Sequence, residues 1–163
     1  MSTTSPASYT GETLEADVVW AFDVDGTLIG SIRSDVLRPG ASELLAALAA
    51  AGARCVLWSA GGADYARRMA MRHGLEGHFV AFYDKDVRDP NGKYVVDHFR
   101  PEHRPHVFVD DSTIDLCDDA GTIAIAVAQF IGNNPSDTGL VSLLQSFEQI
   151  MIDLTTTGGA HHV

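Results

Sequence analysis

The chain has 163 residues, 45% of them apolar, enough for one domain with a buried core. Its formal net charge of −11 disfavours nucleic acid and anionic membrane as partners, while leaving an anionic substrate open if a local cation collects it. No apolar run approaches the length of a membrane span, and the stretch from Met1 to Gly11 lacks the basic start and apolar core of a signal peptide.

Residues 1–15 are rich in Ser and Thr and read as a loose tail. The domain is expected over 16–154, and 155–163 reads as a second tail whose His161-His162 pair is inert. Val18-Val19-Trp20-Ala21-Phe22 is an apolar run ending in acids, hence a buried strand. Pro39-Gly40 then introduces Ala41 to Ala51, an Ala- and Leu-rich helix stopped by Gly52. Arg54 to Trp58 is a second strand, and Gly61-Gly62 turns the chain into a helix from Ala63 to Arg72. His78 to Tyr83 is a third strand. The stretch Asp84 to Arg104 is irregular, with a turn at Asp89-Pro90-Asn91-Gly92 and a short helix over Tyr94 to Phe99. His106 to Val109 is a fourth strand, Ser112 to Ala120 a helix, Thr122 to Ala128 a fifth strand, and Leu140 to Leu154 a final amphipathic helix. Cys55 and Cys117 lie inside such elements and read as reduced thiols of a cytoplasmic protein.

Strands alternating with helices predict an α/β fold: a three-layer, Rossmann-like parallel sheet with helices on both faces. Ligands of such folds bind outside the carboxyl ends of the strands, so the residues after each strand carry the chemistry. The first strand ends in Asp23-Val24-Asp25-Gly26-Thr27. One carboxylate there can attack phosphorus while the second protonates the leaving oxygen. Gly26 lets the backbone approach a ligand and Thr27 adds a hydroxyl. The second strand ends in Ser59-Ala60-Gly61-Gly62 before a helix, a hydroxyl and amides suited to phosphate, although an ordinary N-cap serine is the plainer reading of that string alone. The fourth ends in Asp110-Asp111-Ser112 with Asp115 close behind, oxygen ligands for a hard cation such as Mg²⁺. Lys85 and Lys93, both between the third and fourth strands, are the candidates for the cation that offsets these acids, and each is a surface lysine by default.

In these strings the sequence resembles the haloacid dehalogenase-like (HAD) superfamily over about Val18 to Ala128: Asp23-Val24-Asp25-Gly26-Thr27, Leu57-Trp58-Ser59, and Val109-Asp110-Asp111-Ser112 with Asp115. The resemblance implies a Mg²⁺-dependent phosphoester hydrolase working through an aspartyl-phosphate. Asp23 would be the nucleophile, and Asp25 the general acid and then base, with its carbonyl on the metal. Thr27, Ser59, Ala60 and Lys93 would serve the phosphate, Lys93 because it follows the Asn91-Gly92 turn and precedes a short helix as the family's lysine often does, with Lys85, directly after the third strand, as its rival. Asp111 would ligate Mg²⁺ beside Asp110, which holds the family's usual glycine position, and Asp115 would support metal-bound water. Relatives often carry a cap domain, but Leu28 to Arg38 has room only for a flap bearing Arg33 and Arg38, and Ser59 to Lys93 only for a helix, a strand and a loop. The implied protein is therefore a capless phosphatase, whose substrate is large or protruding or whose site is roofed by a homo-oligomer. Arg38-Pro39-Gly40, Trp58-Ser59-Ala60 and Asp64-Tyr65-Ala66 are similar to the capless protein-phosphatase branch. A nucleic-acid end phosphatase, weakened by the charge, and a silent HAD-like binding or regulatory module are the alternatives.

Overall fold

The structure, a computed structural model, describes residues 17–31, 34–113, 116 and 122–158. The expected N-terminal tail, Arg33, Asp115, Cys117 and the His161-His162 pair lie outside these residues, as does most of the helix expected over Ser112 to Ala120.

Five strands form one parallel sheet in the order β3-β2-β1-β4-β5: β1 (Val19–Asp23), β2 (Arg54–Ser59), β3 (Phe79–Asp84), β4 (Val107–Asp110) and β5 (Ile123–Ala126). This is the expected Rossmann-like α/β fold. The chain winds outward from β1 through β2 to β3, then returns across the sheet to β4 and β5. The winding direction reverses between β1 and β4, so the crevice of such a fold opens there, where the acid-bearing ends lie side by side.

Helices α1 (Ala41–Ala50), α2 (Ala63–Arg72) and α3 (Gly139–Gly158) all join the cluster on one face. Helix α1 buries Ala41, Leu44, Leu45 and Leu48, the i, i+3, i+4, i+7 stripe that a half-buried helix needs. They meet Trp20, Phe22, Leu57 and Val109 of the sheet and Leu140, Leu143 and Phe147 of α3. Helix α3 continues to Gly158, through part of the segment read as a tail.

The opposite face is built differently from the expectation. Val19, Ala21, Val56, Trp58 and Phe108 are covered by Tyr94, Val96 and Phe99 of the irregular chain after β3, and by Leu116, which bridges to Tyr94. Right-handed crossovers explain the split: α1 and α2 connect strands laid down in one direction, and the later connections run the other way. The helix expected over Tyr94 to Phe99 is absent. An antiparallel bridge joins Arg88 and Tyr94, closed by the Asp89–Gly92 turn with Gly92 at φ +81°, and a short 3-10 turn follows at Pro101–His103. Aromatic rings supply the packing that a helix would have given. Tyr83 stacks on Phe99 at 3.8 Å between centroids, and Trp58 meets Phe108 at 5.3 Å.

Arg38 holds the loop after β1 to the far side of the sheet. Its buried side chain donates from Nε to Asp137 Oδ1 (2.6 Å) and from Nη2 to Asp137 Oδ2 (3.1 Å) and Ala128 O (2.8 Å). Nη1 reaches the carbonyls of Gly26 and Thr27, both at 3.3 Å. Burial alone would raise the Asp137 carboxyl, but the hydrogen bonds from Arg38 and the Gly139 amide outweigh it and hold the group below its ordinary value. Arg38 is thus a clamp inside the fold, not the exposed cover over a substrate that its place in the flap suggests. Arg38→Met strands Asp137 and three carbonyl acceptors; the expected loss is about 3 kcal/mol, read as a lower urea midpoint with an unchanged m-value.

Candidate active site

Strand β1 is buried along its whole length and delivers Asp23 at its carboxyl end; β4, directly beside it, delivers Asp110. Asp111 follows in the next position. One carboxylate oxygen from each of Asp23, Asp110 and Asp111 lies within 4.8 Å of the others. Three acids this close need a cation, and the lysine that the fold brings to them is Lys85. Its Nζ lies 2.6 Å from Asp110 Oδ2 and 3.4 Å from Asp23 Oδ1, and the residue is buried. The rings of Trp58 and Tyr94, with centroids 5.4 and 5.2 Å from Nζ, line its path.

This corrects the preference for Lys93. That residue sits in the hairpin turn, its amide donating to Asp89 Oδ1 at 2.9 Å and its carbonyl accepting from the Asp89 amide at 2.8 Å. The signal for Lys85 was present: it directly follows β3, the position that brings the other candidates together.

Thr27 also differs from its expected role. It is fully buried, and its hydroxyl donates to Asp23 Oδ2 (3.3 Å) while accepting from the Asp111 amide (3.0 Å). It ties the β1 and β4 loops together and is closed to a substrate. Gly26 has a matching reason. At φ +80° it favours glycine, and a Cβ there would fall on Asp111 Oδ2.

Ser59 is buried at the end of β2, its hydroxyl accepting from the Gly61 amide at 3.0 Å, with Ala60 exposed beside it. The Ala63 amide at the start of α2 donates to Asp84 Oδ1 at 2.7 Å, so this helix start is less open to an anion than its sequence suggests. Asp84, missed in the sequence, caps α2 from across the sheet. Asp25 is half-buried and accepts from the Tyr65 hydroxyl at 2.7 Å, a second partner its sequence position gave no sign of.

The residues fit a hard divalent cation. Asp110 is committed on both sides, Oδ2 to Lys85 and Oδ1 to the Ser112 amide (2.9 Å), so Asp23 and Asp111 are the carboxylates better placed to ligate. Asp110 is more a lysine anchor than the ligand expected.

Electrostatics mark Asp23 as the strained group. Burial, then the charge of Asp110, raise its pKa to about 8, and the Asp111 charge adds to this; Lys85 and the Val24 amide lower it only in part. Burial also works against the Lys85 ammonium, yet the two carboxylates outweigh it and hold the lysine above its ordinary value. On the same strand face as the helices, burial pushes the Cys55 thiol up to about 12, so this free cysteine is an inert core residue.

No family model matches the sequence, and no curated protein matches it. Among solved structures, an uncharacterized protein from Listeria monocytogenes serotype 4b is similar at 15% identity and a TM-score of 0.48, over 85% of this chain and 99% of that one. No helix among the described residues is long and apolar enough to cross a membrane.

Asp23 generates a testable pH dependence. An unfolded aspartate titrates near 3.9 and the folded one near 8. The folded chain therefore holds a proton that the unfolded chain releases, and metal-free stability falls as pH rises from about 4 to 8. Asp23→Asn removes that charge. In chelator at pH 8 the variant is expected to melt at least about 3 °C above the wild type, the shift that roughly 1 kcal/mol produces in a chain of this size. The gap narrows as pH falls and closes below about pH 4.

Proposed function

We propose that the protein is a Mg²⁺-dependent phosphoester hydrolase of HAD type, with Asp23 as the nucleophile. The observation that carries this reading is the convergence of Asp23, Asp110, Asp111 and Lys85 in one buried cluster at the strand ends. Acids alone would suit many cation sites. A buried lysine lying between Asp23 and Asp110 supplies what phosphoryl transfer needs, a fixed positive charge beside an attacking carboxylate.

In the proposed reaction an oxygen of Asp23 attacks phosphorus. The bond to the ester oxygen breaks, and Asp25 gives that oxygen its proton, releasing an alcohol. Asp25, now a carboxylate, takes a proton from water as that water attacks the aspartyl-phosphate. The Asp23 carboxylate is regenerated and inorganic phosphate leaves. Asp23 and Asp111 would hold Mg²⁺, which when bound supplies positive charge to the phosphoryl oxygens and offsets their repulsion by the carboxylates. Lys85 lends its charge to the same oxygens, Asp110 fixes the ammonium, and Thr27 fixes the nucleophile. Ser59, buried at the end of β2 with its hydroxyl accepting from the Gly61 amide, would turn that hydroxyl's proton toward a phosphate oxygen.

Asp23 sits at the floor of this arrangement, and its burial serves the chemistry. A carboxylate stripped of water and held against other acids is destabilised at rest, and a cation with a phosphoryl group relieves that repulsion. Among the described residues no domain is inserted over the site, so the proposed substrate is one that brings its own contact surface: large, or with a protruding phosphate. The net charge argues against nucleic-acid ends as that substrate. The compartment proposed is the cytoplasm.

A turnover screen over phosphorylated metabolites, phosphopeptides and end-phosphorylated oligonucleotides, with and without Mg²⁺, tests the reading. Asp23→Asn is expected to abolish turnover with the fold intact, and chelation to do the same reversibly. Full activity in either case overturns it. The lysines separate cleanly: Lys85→Met is expected to lower kcat at least about 100-fold, the scale of losing a fixed transition-state charge, whereas Lys93→Met leaves kcat near that of the wild type.

A further inference from the structure

Asp25 is not left to solvent. Tyr65 stands in the first turn of α2, 40 positions along the chain, and its hydroxyl donates to Asp25 Oδ1 at 2.7 Å. The tyrosine is held for this contact. Its ring lies over Gly61, where a Cβ would come within 2.8 Å of ring carbon Cδ1, so the loop after Ser59 is shaped to let the ring pass. Burial, the hydrogen bond to Asp25 and the charges of Asp25, Asp35 and Asp23 all push the phenol above its ordinary pKa, so it stays a donor. The other oxygen, Asp25 Oδ2, takes no hydrogen bond in the described structure.

Both residues are half-buried. Water competes for a hydrogen bond in such a place, and the contact contributes little to stability. What it does is geometric. It removes one of the two carboxylate oxygens from play and ties the rotamer of Asp25 to the helix that follows the Ser59 loop.

Building on the phosphohydrolase reading, we propose that Tyr65 is a positioning residue for the general acid. By holding Oδ1 it presents Oδ2 as the single oxygen that gives its proton to the leaving group and later takes one from water. No atoms beyond those of the proposed reaction are involved. Tyr65 acts through Asp25 and never touches the phosphoryl group.

Protonation of the leaving oxygen matters most when that oxygen is a poor leaving group, so the contact has a signature that mere structural damage lacks. Wild type, Tyr65→Phe and Asp25→Asn are compared by kcat/KM with Mg²⁺ on p-nitrophenyl, phenyl and benzyl phosphate, which are similar in shape but increasingly in need of a proton. The expected result is that Tyr65→Phe loses at least about tenfold on benzyl phosphate, part of the 10²–10⁴ that general acid catalysis supplies, and little on p-nitrophenyl phosphate. Asp25→Asn is expected to follow the same order more steeply. An equal loss on all three esters, or no loss, overturns the role of Tyr65 and leaves the hydrolase reading standing. A wild-type protein that turns over none of them, nor any member of the wider screen, overturns both. Thermal melts of the variants confirm that folded protein is being compared.

Discussion

The structure is organised around one buried ammonium. Lys85 enters the sheet from the end of β3, yet its charge lies with Asp23 on β1 and Asp110 on β4. Strands β3 and β1 are two places apart, about 10 Å at normal strand spacing. Only a long, unbranched side chain can cover much of that distance and still carry a charge. Its ammonium lies against the rings of Trp58 and Tyr94, and its backbone amide donates to Ser59 O at 2.9 Å, so the side chain is set at both ends. Lys85 offsets only part of the cost of burying Asp23 beside Asp110, and the remainder keeps the Asp23 carboxyl well above the usual carboxylate range in the metal-free chain.

That constraint accounts for the number of braces around the β1 loop. Two neighbouring strands must end at nearly the same height and stay there. Thr27 joins their loops through one hydroxyl, and Gly26 permits the close approach of Asp111. Arg38 pins the carbonyls of Gly26 and Thr27 to the region between β5 and α3. These contacts are buried and point inward. They hold the acids where Coulomb repulsion would otherwise spread them.

The rim is more exposed. Asp25, Tyr65 and Ala60 are half-buried or exposed, and Asp35 pairs with Arg72 and with His73 Nε2 at 2.8 Å. A buried floor under a more exposed rim is a workable division for phosphoryl transfer. The nucleophile and the positive charge gain from being fixed in advance, while the groups that meet the rest of a substrate gain from room to adapt.

Much of this is legible in the chain itself. The apolar run before Asp23 and its counterparts before Ser59 and Asp110 identify strands because β-structure of this kind is a local pattern, and α1 is legible in the spacing of Leu44, Leu45 and Leu48. The parallel sheet follows from the alternation of elements, and the site from what stands after each strand. Other features depended on the assembled fold. The choice of Lys85 over Lys93 turns on which side chain reaches a buried carboxylate pair across two strands, and no local pattern encodes that reach. Thr27 reads as a phosphate-site hydroxyl and Arg38 as part of a flap; that they are bolts inside the fold emerges only when β4, β5 and α3 close over them. The absent helix at Tyr94 to Phe99 and the contact of Tyr65 with Asp25 have the same origin. The chain determined which groups lie at the strand ends, because that depends on residues next to one another. The tertiary structure decided which of them meet, because burial and charge neutralisation act between residues far apart in sequence.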